Sequence, residues 1–222
     1  KYEILPLRST NKIVPILSKM YGYILTDGSV NIYDKKHGGM TPQVQICFGT
    51  YNDALDFEND VKKIGFKDVK IKEGYRIHST KGTKHHTFDI CHNGAFASLI
   101  ISLGITVGKR SEIYHNELPN WIINGSLLTQ REFCSGFQGG DGCKIRINKL
   151  NDNKGFNTIC SKTSNQINPK YLKSLETVFN QIITMFKKFN IEISDVQTKK
   201  ISDNRTEVSY KISDKKENLI KY

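Results

Sequence analysis

Met20-Tyr21-Gly22-Tyr23-Ile24-Leu25-Thr26-Asp27-Gly28 and Cys134-Ser135-Gly136-Phe137-Gln138-Gly139-Gly140-Asp141-Gly142 are the two stretches on which the fold turns. Both have the form G-x-x-x-x-D-G, and both lie where a helical pattern gives way to strand alternation. Gly22 and Gly136 fall in helix interiors, where glycine costs about 1 kcal/mol relative to alanine. That cost points to close contact between two backbones. If the two helices lie side by side, Asp27 and Asp141 meet at their C-terminal feet. There the carboxylates repel each other and also face the negative helix ends. A divalent cation would offset both effects. Mg²⁺ held by one or two carboxylates and phosphate oxygens is a phosphodiester-cutting arrangement. A single Asp-Gly is no more than a helix stop; two copies opening the same series of elements are what carry the argument.

Working outward, Ile13, Leu17, Met20 and Ile24 follow helical spacing, with Pro15 in the first turn. Alternation at Val30–Ile32 and Gln43–Phe48 predicts a hairpin. A helix over 52–64 with Asn52 as cap, strands at 68–73 and 85–91, and a helix over 93–103 ending at Gly104 follow. The order then repeats. Thr129 and Glu132 predict a capping box opening a helix to Gly140. Strands at 143–149 and 155–161, a helix over 169–189, strands at 191–199 and 206–213 and a last helix from 215 complete it. The expected fold is α+β, two pseudo-symmetric αββαββα halves: 1–110, a linker over 111–128 with a short helix near Trp121, and 129–222. Matching Phe88 to Tyr210 sets Ile100 against Tyr222, so the second half is expected to be truncated.

The chain has 222 residues, 37% of them hydrophobic, and a formal net charge of +11. Both halves share the positive excess, which suits a polyanionic partner. No apolar run approaches the ~20 residues of a membrane span, and no signal peptide is evident. The five cysteines form no C-x-x-C pair, and His85, His86 and His92 lack a second ligand pair near Cys91, so a zinc site is not expected. Unpaired thiols predict an intracellular protein, in cytoplasm or nucleus and not secreted. Beginning at Lys1 and ending at Tyr222, the chain is expected to be a piece of a longer product.

The paired segments resemble the two signature helices of the LAGLIDADG homing endonucleases, and the element order resembles that family's fold. Leu103–Arg110 and Leu118–Ile122 are similar to the link between halves in intein-borne members. The resemblance implies that the helix pair is the interface between halves. It implies that Asp27 and Asp141 bind divalent ions, and that a β-saddle lies over duplex DNA. Both strands would be cut across the minor groove, leaving short 3′ overhangs. A supporting lysine of the family matches Lys109; its counterpart in the second half falls beyond Tyr222. The acid that some members carry two places before the last Asp is replaced by Leu25 and Gly139. If the parent is an intein, this is expected to be its nuclease domain alone, since Lys1 and Tyr222 are not the nucleophilic first residue and terminal Asn that splicing needs.

In the hairpins, alternation places Val30, Ile32, Val44, Ile46, Ile145 and Ile147 on the helix-covered face. The other face presents Ser29, Asn31, Tyr33, Gln43 and Gln45, and in the second half Lys144, Arg146 and Asn148. Asn and Gln suit adenine edges, Arg suits guanine and Lys suits phosphate. Lys70, Lys72, Arg76, Lys199 and Lys211 extend this surface. The unlike halves predict a monomer on a long asymmetric site in double-stranded DNA. The rival expectations are a non-catalytic DNA- or RNA-binding protein on the same scaffold, such as an intron maturase or a regulator, and a basic α+β protein without this ancestry.

Overall fold

The protein is described here by a computed structural model covering residues 7–34, 39–77, 82–112, 117–143, 146–149, 156–159 and 162–219. Helix α1 (Val14–Asp27) has Pro15 in its first turn and runs without a break into strand β1 (Gly28–Asp34). Gly28 is fully extended, with φ −85° and ψ 165°. Strand β2 (Met40–Phe48) pairs with β1 so that Ser29 faces Gln45 and Asn31 faces Gln43. Helix α2 (Tyr51–Lys63), strands β3 (Ile71–Ile77) and β4 (Lys84–Asn93) and helix α3 (Ala95–Ser102) follow. The antiparallel sheet has the order β1-β2-β4-β3.

Three expectations change here. Thr50, not Asn52, caps α2, its hydroxyl accepting from the Asp53 N–H at 3.2 Å. Strand β3 starts at Ile71 because Phe66 and Val69 are buried as the chain returns from α2. Ile32 is 44% exposed, since the helix layer stops short of the hairpin's outer end.

Between the halves lie a 3-10 turn (Arg110–Glu112) and helix α4 (Asn120–Ile123). The linker is tied down: Trp121 Nε1 donates to Leu103 O at 3.0 Å, and Leu118 N donates to Gln181 Oε1 at 2.9 Å. Helix α5 (Leu127–Asp141) begins one turn before the expected capping box. Ser126 is the cap, accepting from Thr129 N at 3.2 Å, while Thr129 is buried and Glu132 pairs with Arg131.

Strands β5 (Arg146–Lys149), β6 (Phe156–Ile159) and β7 (Lys162–Ile167), helix α6 (Leu172–Lys188), strands β8 (Gln197–Ser202) and β9 (Arg205–Lys211) and helix α7 (Lys216–Leu219) complete the second half. Here β5 pairs with β6, and the second sheet runs β7-β9-β8. Gly142 bridges Thr163 as Gly28 faces Ile46, so β6 and β7 share the place that β2 takes alone. Strand β7 is missed by periodicity, and β8 starts at Gln197, later than expected. Tyr210 faces Thr163 while Ile90 faces Ile46, so the partner of Tyr210 is Ile90, two residues from the expected Phe88.

One contiguous core joins the halves. Leu17, Met20, Ile24 and Ile46 of the first half and Phe133, Phe137, Phe179 and Tyr210 of the second are almost completely buried within it. No helix among the described residues is long and apolar enough to cross a membrane.

Candidate active site at the foot of the helix pair

Helices α1 and α5 pack against each other along their length. Glycine permits the approach. A Cβ on Gly22 would lie 2.6 Å from Phe133 O and from Phe137 N, and one on Gly136 would lie 2.0 Å from Lys19 O. These are backbone atoms that cannot swing aside, so both helices depend on the missing methyl groups. Ser18 Oγ adds a hydrogen bond to Thr129 O at 2.8 Å across the seam.

At the foot, a Cβ on Gly140 would lie 3.1 Å from Asp27 Oδ2, so the last turn of α5 rests against the Asp27 carboxylate. Asp141 is the next residue. The seam therefore brings the two aspartates together, and the Asp27 charge raises the cost of ionising Asp141. The Asp141 carboxyl is pushed up to about 7, chiefly by burial and also by the Asp27 charge, against the pull of Arg110. Asp27 keeps one side open to solvent, yet burial also raises its pKa, against the pull of Arg110. Asn165 on β7 donates from Nδ2 to Asp141 Oδ2 at 2.7 Å.

The cation of this site is Arg110. Gly108, with φ +111°, pairs as an isolated bridge with Val30, its N–H donating to Val30 O at 2.8 Å. That bridge draws the segment along β1 to the foot of α1. The 3-10 turn that follows points the Arg110 guanidinium inward, where Nη1 donates to Leu25 O at 2.6 Å. Burial lowers the Arg110 pKa, and both aspartates raise it. Ser111 O accepts from Asn168 N at 2.9 Å, tying the same turn to the second half. Lys109, the expected supporting cation, is exposed and ion-paired with Glu112. Sequence spacing in a coil does not say which of two adjacent basic residues turns inward; only the Val30–Gly108 bridge decides it.

Two carboxylates and no third acid meet at this foot: among the described residues no group of three or more His, Cys, Asp or Glu side chains comes together. The donors fit a hard divalent ion. They are oxygens, they are held together against their repulsion, and burial disfavours their bare charge.

The polar faces lie where alternation put them in the first half. Ser29, Asn31, Gln43 and Gln45 are half-buried and Tyr33 is exposed, on the side of the sheet away from the helices. Lys72 faces Asp89 across the β3–β4 ladder, and Arg76 is bonded to that same Asp89 at 2.8 Å. Lys70 precedes β3 and is exposed. In the second half Lys199 faces Glu207 and Lys211 faces Lys162, both lysines exposed. Lys144 and Ile145 lie outside the described residues. Arg146, Ile147 and Asn148 fall within β5.

No protein-family model matches the chain. It is 27% identical over 220 residues to the tRNA-splicing ligase RtcB of Methanocaldococcus jannaschii, a match covering 95% of this chain and 21% of the ligase. It is 23% identical over 207 residues to the DNA-directed RNA polymerase subunit Rpo1N of the same organism, covering 86% of this chain and 14% of the subunit. The chain thus spans a minor part of these relatives. Among solved structures it is similar to mesophilic variants of the homing endonuclease I-DmoI, with TM-score 0.57, 12% identity, and coverage of 95% of this chain and 88% of that one. It is also similar to I-DmoI in complex with DNA and Ca, with TM-score 0.56, 12% identity, and coverage of 91% and 85%. The fold is that of the LAGLIDADG homing endonucleases.

Proposed function

We propose that this chain is a site-specific double-strand DNA endonuclease, a homing endonuclease in which Asp27 and Asp141 hold divalent metal, Mg²⁺ in the cell. The observation that carries this reading is the pair of mutually repelling carboxylates held at the foot of a seam that only glycines allow. A cation bound there would polarise the scissile phosphate and lower the pKa of a water molecule. The protein's own part is to hold both carboxylates, to balance their charge with Arg110 and to set the duplex across the two sheet faces. Residues 1–110 and 129–222 form the two halves and 111–128 the linker. Ser29, Asn31, Tyr33, Gln43 and Gln45 meet one flank of the duplex. Lys144, Arg146, Asn148, Lys199 and Lys211 meet the other, and Lys70, Lys72 and Arg76 extend the first. The halves differ, so the target is long and asymmetric and the enzyme acts as a monomer.

The chain's origin is proposed to be an intein. Nearly its whole length is similar to a minor part of an RNA ligase and to a minor part of an RNA polymerase subunit. Proteins of unrelated activity share such a stretch most simply when it is an insertion carrying its own function. The element would work inside the cell, where its target DNA is.

The test is a cleavage selection over random duplexes with and without Mg²⁺. Wild-type chain is expected to enrich one long site. On that site, Asp27→Asn or Asp141→Asn should slow double-strand cleavage about a hundredfold or more. Cleavage unchanged in both variants would falsify the assignment. Retention of a specific duplex without cutting would favour the non-catalytic binding role.

A further inference from the structure

The ladder registers align the halves residue by residue from Gly28 and Gly142. Gly28 faces Ile46 and Gly142 faces Thr163; two residues further along the partner strands stand Phe48 and Asn165. These equivalent positions are filled oppositely. Phe48 is buried, its ring 5.8 Å from Tyr23 and 5.6 Å from Phe57. Asn165 donates from Nδ2 to Asp141 Oδ2 at 2.7 Å. Its amide is not free to turn over, because Oδ1 already accepts the Gln166 N–H at 3.0 Å. Only the NH₂ end is left for the carboxylate.

We propose that Asn165 is the positioning residue for Asp141 as a cation ligand, and that the two halves hold their cations unequally because Phe48 fills the matching place beneath Asp27. This rests on the metal-binding reading of the aspartates given above. A donor on one carboxylate oxygen fixes the rotation of the group and leaves the other oxygen for the cation. A ligand fixed in advance loses less freedom when the ion arrives. Hydrogen-bond partners of ligating side chains typically change metal affinity ten- to a hundredfold. Phe48 has no donor to offer, so Asp27 gains nothing of this kind from the equivalent strand position.

A double-mutant cycle on the full chain tests the idea, reading Mn²⁺ binding from the free-ion paramagnetic resonance signal at pH 8. In the Asp27→Asn background, binding depends on Asp141, and adding Asn165→Leu should weaken it about tenfold. In the Asp141→Asn background, adding Asn165→Leu should leave the remaining affinity unchanged. Asn165→Val, a better strand former, replaces the leucine variant if that one misfolds by circular dichroism. Equal weakening in both backgrounds, or none in either, overturns the proposal. A chain that shows the expected Mn²⁺ pattern and cuts no duplex would remove the nuclease reading and leave the role of Asn165 standing. A chain that binds no Mn²⁺ would remove both.

Discussion

The foot of α1 and the foot of α5 carry the same aspartate on different foundations. Beneath Asp27 the packing is aromatic: Tyr23 lies 5.8 Å from Phe48 and 6.3 Å from Phe57. Beneath Asp141 it is polar: Gln138 Oε1 accepts from Thr163 Oγ1 at 2.5 Å and from Tyr210 OH at 3.3 Å, all of them buried. Ile24 stands where the second helix has Gln138. What the two halves repeat is therefore narrow: the seam glycine, the terminal aspartate and the extended glycine after it. These are the positions on which close backbone approach and the charge at the helix feet depend. The support behind them is free to differ, because an oily foundation and a hydrogen-bonded one hold a helix end equally well once each is internally satisfied.

The largest way to break the shared part is at the glycines. Gly136→Ala adds a methyl 2.0 Å from a backbone carbonyl of the other helix, so the helices must part. The gain in helix propensity, about 1 kcal/mol, does not offset that. A loss of about 3 kcal/mol or more is expected in chemical denaturation. Gly49→Ala, which meets nothing within 4 Å, is the control and should leave stability within about 0.5 kcal/mol. If Gly136→Ala proves as mild as its control, the helices do not meet as closely as described.

The repeated part is also what can be read without coordinates. Glycine in a helix interior and Asp-Gly at a helix end are local anomalies, visible at Gly22, Asp27, Gly136 and Asp141. The unrepeated part is hidden because it answers to tertiary context. Strand β7 escapes a search for alternating apolar residues because two of its inward positions are Thr163 and Asn165. They are polar because they face Gln138 and Asp141. Arg110 escapes because it lies in a coil whose direction is set by a bridge to β1. The shifted starts of β3 and β8 have the same origin: Val69 and Ile191 look like strand residues but are buried in the core ahead of the strands that follow them.

The next effect in size concerns which cation serves the pair. Arg110 balances the half-buried Asp141 and the more open Asp27 and is tied to Leu25 O; Lys109 pairs on the surface with Glu112. Arg110→Met should cost about 2 kcal/mol at pH 8, since it removes a charged hydrogen bond and leaves two acids uncompensated. Lys109→Met should cost no more than about 0.5 kcal/mol. Cleavage of the selected duplex should follow the same order. Equal effects would return Lys109 to the site.

The smallest effect separates the two aspartates by pH. The Asp141 carboxyl is pushed up to about 7 in the folded chain, above its ordinary value near 3.9 in an unfolded one. The folded state then holds the proton more tightly, so the contribution is complete below about pH 4 and is lost as pH rises through 7. Without divalent metal, the melting temperature should fall by several degrees between pH 5 and 8. Asp141→Asn should remove most of that fall. Asp27→Asn should remove less: Asp27 is raised in the same direction, but one side of it stays open to water. Adding Mg²⁺ should restore stability mainly above pH 7, where the bare charges repel most and where ion binding no longer has to displace a proton. A melting temperature flat across this range in metal-free buffer would mean that the carboxylates are better solvated, and farther apart, than the seam places them.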